Sequence, residues 1–208
     1  MRYGSTRSFV AAFVLLSVAA CGGGGGDGGQ ETTRSEETGA QPAAESTAGD
    51  RATPTEMTMP DWIQVDRTAS TATLEVVAGK TDANNSWNFN GYADGEVVVV
   101  VPVDYEITVD FRNADQVVAH SLGIDEKRTS WPATFDDPQP VFEGAMTESP
   151  TSMSGATQPG ESETLVFTAD EAGEYTMVCY IPGHASAGMW IYFTVSAEGE
   201  AGMRKRTG

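Results

Sequence analysis

The chain has 208 residues, of which 30 are acidic and 12 are basic, and its formal net charge is −18 at pH 7. A chain this acidic is repelled by a polyanion, so its composition argues against nucleic-acid binding. The length suits one folded domain with a full hydrophobic core.

The N-terminus predicts an export signal. Two arginines among the first seven residues precede an apolar stretch of 12 residues, from 9 to 20, which is too short to span a bilayer comfortably. The segment 18–21, Val-Ala-Ala-Cys, is typical of a bacterial lipobox. We therefore expect residues 1–20 to be a lipoprotein signal peptide and Cys21 to carry the lipid. That lipid would attach the protein to the periplasmic or extracellular face of a bacterial cell membrane. An ordinary cleaved signal with an incidental cysteine is the alternative.

The next segment lacks the residues that build a core. Between residues 22 and 60 there is no Val, Ile, Leu, Phe, Tyr or Trp. Such a segment cannot bury enough apolar surface to offset its conformational entropy. We predict that residues 21–60 form a flexible tether. The tail 198–208 has a similar composition and is predicted to be disordered, which leaves 61–197 as the folded domain.

The domain predicts β-structure throughout. Apolar and polar residues alternate at 72–76 and 107–111, which is typical of half-buried strands. Five valines in a row, 97–101, predict a strand that is buried on both faces. Further strands are expected near 165–167, 174–179 and 191–195. No long helical period competes, so the pattern predicts an all-β sandwich or barrel. We predict that residues 125–160 form a long excursion from the sandwich, with a short strand at 141–142.

The residues that carry chemistry are Cys179, His184 and Met189, spaced as Cys-x4-His-x4-Met. A thiolate, an imidazole and a thioether on one loop suit both oxidation states of copper. His120 is the only other histidine of the chain, and it would complete a two-histidine, one-cysteine site with a weak methionine ligand. Alternation along the predicted strands directs both Cys179 and His120 to apolar faces.

Other interpretations of these residues are weaker. A single buried Cys or Met is usually a packing residue, and zinc is disfavoured because a thioether is a poor ligand for it. The only other cysteine is Cys21, so no disulfide is expected, and the absence of Cys-x-x-Cys-His excludes covalently attached c-type haem. Pro182 lacks a backbone donor and is expected to stiffen the ligand loop.

The loop 179–189 resembles the copper-ligand loop of sulfocyanins and rusticyanin. The Asn-Phe-Asn-Gly segment at 88–91 and Gly-Met-Trp at 188–190 also resemble sulfocyanins, and His120-Ser121 matches the first histidine ligand followed by a small polar residue. The resemblance implies a Greek-key β-sandwich of the cupredoxin type with one type 1 copper ion.

The same resemblance implies roles for individual residues. His120, Cys179 and His184 would be the equatorial ligands and Met189 the axial one. Ser121 would join the two ligand segments by hydrogen bonds. The chain departs from sulfocyanins at its N-terminus, because sulfocyanins are typically described with a membrane-spanning segment and this chain resembles a lipoprotein.

The expected function is one-electron transfer in a membrane-attached respiratory chain. The redox partner would be a cytochrome or a terminal oxidase, and we expect a monomer that is not an enzyme. Copper enzymes need several more histidines, and both histidines of this chain are already assigned. Copper delivery or storage is the alternative, with thioether ligands from the methionines outside the predicted strands: Met57, Met59, Met146 and Met153. Electrons are expected to pass at the edge of His184, where the loop residues are small and apolar.

Overall fold

The computed structural model describes residues 56–206. The predictions of a signal peptide at 1–20, of lipid on Cys21 and of a tether up to residue 55 lie outside the described residues. Within 56–206 there are nine β-strands, two short 3₁₀ turns and no α-helix. No helix in this range is long and apolar enough to cross a bilayer.

The strands, in chain order, have the following bounds: β1 (Ile63–Asp66), β2 (Thr71–Ala78), β3 (Val97–Pro102), β4 (Tyr105–Asn113), β5 (Gly123–Glu126), β6 (Ser162–Ala169), β7 (Gly173–Val178), β8 (Trp190–Ser196) and β9 (Gly202–Lys205). One sheet has four strands in the order β1-β2-β4-β6, and the other has five in the order β5-β7-β8-β3-β9. The pairs β2–β4 and β3–β8 are parallel and the remaining pairs are antiparallel. The predicted all-β Greek-key sandwich is confirmed.

The alternation in the sequence places the core between the sheets. In β4, Ile107, Val109 and Phe111 are fully buried, and the residues between them face outward. All six residues of β3 are buried, because apolar side chains cover the outer face of the five-stranded sheet as well. This second apolar cluster, the outer cluster, contains Val98, Val100, Trp131, Val178, Tyr180, Ala185, Trp190 and Tyr192, with Met57, Phe135 and Met146 packed against it.

The excursion between β5 and β6 supplies part of that cover. Phe135 meets the ring of Tyr180 edge-on, with centroids 4.9 Å apart. Later in the excursion, the Phe142 ring stacks on the Phe167 ring with centroids 5.6 Å apart, and Phe142 belongs to the core between the sheets. The expected strand at 141–142 does not form; Val141 makes a single backbone hydrogen bond, of 2.9 Å, to the carbonyl of Ile124.

Two predicted boundaries are wrong. The tail is not disordered over 198–206, because β9 pairs antiparallel with β3 and Met203 is only 6% exposed. Thr58 in turn pairs with Met203 through two backbone hydrogen bonds of 2.8 Å, so the fold begins before residue 61. The free edge of the valine-rich β3 needs a partner, and a short strand with a single large apolar residue is enough to supply it.

Candidate metal centre

The four predicted ligands are all buried at one end of the sandwich. Cys179 directly follows β7, and Met189 directly precedes β8. His120 lies three residues before β5 and was expected within a strand. Instead it forms an isolated bridge, its N–H donating to the carbonyl of Thr157 at 3.1 Å. His120, Cys179 and Met189 have no exposed surface and His184 is 2% exposed.

Three donor atoms converge there. The Nδ1 atoms of His120 and His184 are 3.2 Å apart, and the Cys179 Sγ lies 3.5 Å from the His184 Nδ1. All three candidate ligand atoms lie within 4.8 Å of one another. Among residues 56–206, no other group of three His, Cys, Asp or Glu side chains has this geometry. Two imidazoles and a thiol at one buried point fit a copper ion.

The ligand loop folds back on itself and is held from outside. The Met189 N–H donates to the His184 carbonyl at 2.9 Å, and the Cys179 N–H donates to the Met189 carbonyl at 3.2 Å. The Gly183 N–H donates to the carbonyl of Ala133, in the excursion, at 2.7 Å. Gly188 has a φ of +97°, and a Cβ there would come within 2.4 Å of Asp94, so a side chain is excluded on both counts. Pro182 is exposed at the start of this loop.

Ser121 connects the two ligand segments. Its N–H donates to the Cys179 Sγ at 3.4 Å, and its Oγ lies 3.7 Å from the same sulfur. The Oγ also accepts from the Tyr180 N–H at 2.9 Å. Complete burial nevertheless raises the pKa of Cys179 to about 11, because these hydrogen bonds only partly offset the loss of water. The metal-free site therefore holds a neutral thiol.

Asp115 orients His120 and was not identified from the sequence. Its Oδ2 lies 3.2 Å from the His120 Nε2, and the residue is 8% exposed. Burial raises the pKa of Asp115, but hydrogen bonds from the N–H groups of Val117 and Val118 and from His120 outweigh it, so the pKa falls below its usual range. An ionised carboxylate only accepts hydrogen bonds, so the Nε2 carries the proton and the Nδ1 lone pair faces the other donors.

His184 is kept neutral and is covered by an aromatic ring. Burial lowers its pKa to about 4, and repulsion from His120 adds to that effect. The indole of Trp87 stacks on the His184 ring, with centroids 4.2 Å apart and an angle of 20° between the planes. Trp87 was also missed by the sequence analysis; its position directly before the Asn-Phe-Asn-Gly segment is the only local signal.

A Greek-key sandwich with two imidazoles, a thiol and a loop methionine at one end defines a cupredoxin, a blue copper protein whose cofactor is one type 1 copper ion. Residues 60–202 match the family model described as the Sulfocyanin (SoxE) domain. The chain belongs to the sulfocyanin family, as the sequence motifs predicted.

The individual relatives share at most 30% sequence identity with this chain. The sulfocyanin of Sulfolobus acidocaldarius is 30% identical over 129 residues, which are 61% of this chain and 64% of that protein. The chain thus matches less than two thirds of the relative's length. Among solved structures, auracyanin from Roseiflexus castenholzii is 26% identical, with a TM-score of 0.41 over 60% of this chain and 96% of its own. Rusticyanin from Thiobacillus ferrooxidans is 21% identical, with a TM-score of 0.42 over 65% of this chain and 87% of its own.

Proposed function

We propose that this protein is an electron carrier that exchanges single electrons with redox partner proteins. The observation that carries the proposal is the buried convergence of His120, Cys179 and His184. Copper bound there would supply a Cu(I)/Cu(II) couple. The protein holds both imidazoles neutral and fixes the thiol by hydrogen bonds, so the same donor set serves both oxidation states without rearrangement.

The two Nδ1 atoms and the Cys179 Sγ would hold the metal, and Met189 would be a fourth, weak ligand. Ser121 positions the sulfur, and the hydrogen bond from Gly183 to Ala133 holds the loop from the outside of the sheet. Pro182 restricts the backbone at the start of that loop. These hydrogen bonds run between protein groups, so the fold itself contributes to the placement of the ligand loop.

A carrier is favoured over a copper enzyme. Both histidines of the chain belong to one cluster, so the chain has no histidine left for the second copper centre that such enzymes use. A carrier is also favoured over copper delivery or storage. Met57 and Met146, two of the four methionines considered for that role, pack against the outer cluster, which gives them a structural role.

The decisive test is the visible and EPR spectrum of the full chain loaded with Cu(II). We expect an intense thiolate charge-transfer band that is lost in Cys179→Ser, because a hard hydroxyl cannot supply it. Cys21→Ser is the matched control, since it replaces the other cysteine of the chain and should keep the band. His120→Ala should open the site and weaken copper binding. A colourless protein that binds only Cu(I) would instead favour delivery or storage.

The cellular setting is also a proposal. The lipobox-like segment 18–21 supports a lipid anchor on Cys21 at the outer face of a bacterial cell membrane. Membership of the sulfocyanin family supports a place in a respiratory chain, with a cytochrome or terminal oxidase as partner. Cys21→Ala should move the protein from the detergent phase to the aqueous phase, whereas Cys179→Ala should leave it in the detergent phase. Cys21→Ala protein that remains in the membrane would indicate an uncleaved anchor at 1–20.

A further inference from the structure

Trp87 lies between the candidate metal centre and the surface. Its indole stacks on His184 at 4.2 Å with nearly parallel planes. Trp87 is half-buried, whereas His184 is only 2% exposed. The surface next to this ligand is therefore formed by the indole more than by the imidazole itself, and the two π-systems are in van der Waals contact.

A dedicated turn holds Trp87 in this position. The 3₁₀ turn Ala83–Ser86 precedes it, and the Trp87 N–H donates to the Asn84 carbonyl at 2.9 Å. The Asn84 side-chain amide donates to the Trp87 carbonyl at 2.8 Å and to the Ala187 carbonyl, in the ligand loop, at 2.9 Å. Asn84 has a φ of +49°, in the left-handed region that Asn tolerates better than most residues. One amide thus fixes the indole relative to the ligand loop.

The two segments that carry the stack are uncharged, with Asp82 and Asp94 at the borders of the first. The segments 83–93 and 175–197, which carry Trp87 and His184, contain no Asp, Glu, Lys or Arg, in a chain with a net charge of −18. Exposed residues of these segments include Asn85, Pro182, Ser186 and Ala187. An uncharged patch on an acidic protein lets another molecule approach closely with little desolvation cost, and charges further out can steer it.

We propose that Trp87 is the surface contact through which electrons pass between His184 and a redox partner, in place of direct contact at the His184 edge. The proposal rests on the electron-carrier function. In each exchange a reduced partner would lose one electron and bound Cu(II) would gain it, with no bond or proton transferred. The indole supplies orbital contact and is not itself oxidised. The patch fits a one-electron protein that presents an uncharged, apolar face around its own redox group.

The test uses electron self-exchange between the Cu(I) and Cu(II) forms of the full chain, measured by NMR line broadening at fixed ionic strength, because it needs no other partner. Trp87→Leu removes the π-system and should slow self-exchange several-fold. Trp87→Phe keeps an aromatic ring and should stay close to the original rate. Trp62→Phe, a buried core tryptophan, controls for loss of an indole elsewhere. The visible spectrum and the reduction potential should stay unchanged in all three variants.

A second pair of variants covers the case in which Trp87→Leu does not fold. Ala83→Lys places bulk and charge on the exposed turn that carries Trp87, and it should slow self-exchange. Val166→Lys makes the same charge change on β6, at a residue that is 51% exposed, and should slow it much less.

Three outcomes would overturn the inference: an unchanged rate in Trp87→Leu, equal rates in the two lysine variants, or a rate loss accompanied by a changed spectrum and potential. The last would show that Trp87 only shapes the copper site. If the unsubstituted protein forms no blue copper site at all, the proposed function fails as well. A blue, reversible protein that is insensitive to Trp87 rejects this inference alone.

Discussion

Replacing Asp115 by Asn should raise the reduction potential of the copper site. The Asp115 carboxylate is buried and accepts a hydrogen bond from the His120 Nε2 at 3.2 Å. Asn has nearly the same shape. With its side-chain oxygen toward the His120 Nε2 it keeps that hydrogen bond, and its amide group then faces the Val117 N–H, so the bond that the other carboxylate oxygen accepts from Val117 is lost. The substitution removes one negative charge, and the retained hydrogen bond keeps the orientation of the imidazole.

The magnitude follows from the distance across one imidazole ring. A metal bound at Nδ1 would be separated from the carboxylate by roughly 7 Å. At an effective dielectric constant of about 20, two unit charges at that distance interact by about 2 kcal/mol. The oxidised ion carries one more positive charge, so Asp115 stabilises it relative to the reduced ion. For a one-electron couple, losing that stabilisation raises the potential by at most about 100 mV.

The assay is voltammetry of the copper-loaded variant beside the unsubstituted protein. Asp110→Asn, at an exposed position on β4, is the matched control and should shift the potential far less, because solvent screens its charge. We expect the Asp115→Asn shift to be upward and to persist at high salt, since the carboxylate is buried. An unchanged or lowered potential would refute the electrostatic role assigned to Asp115.

Two further predictions concern the ligands. Met189→Gln should lower the potential because an oxygen donor favours Cu(II), and Met189→Leu should raise it; voltammetry that shows no shift in either variant would remove Met189 from the ligand set. Copper binding at pH 7 should release about one proton per ion, because the Cys179 thiol has a pKa of about 11 and must lose its proton to bind. Calorimetry in two buffers of different ionisation enthalpy counts that proton. Its release should vanish above pH 11 and in Cys179→Ser, and a count near zero at pH 7 would mean that the thiol does not bind as a thiolate.

Features encoded in short stretches of sequence were predictable. The ligand spacing from Cys179 to Met189 is local, because the loop returns directly from β7 into β8. Strand alternation likewise follows from which face is buried. The five-valine run indicated a strand that is buried on both faces, but no pattern identified the excursion as part of its cover.

The residues that sequence reasoning missed depend on tertiary contacts. Trp87 reaches His184 only because Asn84 ties its turn to the ligand loop. Asp115 faces the Nε2 of His120 because the loop before β5 bends back, with the carboxylate accepting from the backbone of Val117. Each is a single polar or aromatic residue in an irregular segment, and such a residue has no periodicity to distinguish it.

The pairing at the edge of β3 determines at which end of the sandwich the chain enters and leaves the fold. β8 starts next to Met189, and β3 runs parallel to it, so the start of β3 lies at the copper end of the sandwich. β9 runs antiparallel to β3, and Thr58 pairs antiparallel with Met203. The chain therefore enters and leaves the fold at the copper end. Any segment joined to either end of the described fold therefore starts on the same side of the sandwich as the metal loop, so bulk added at either end would stand close to that loop.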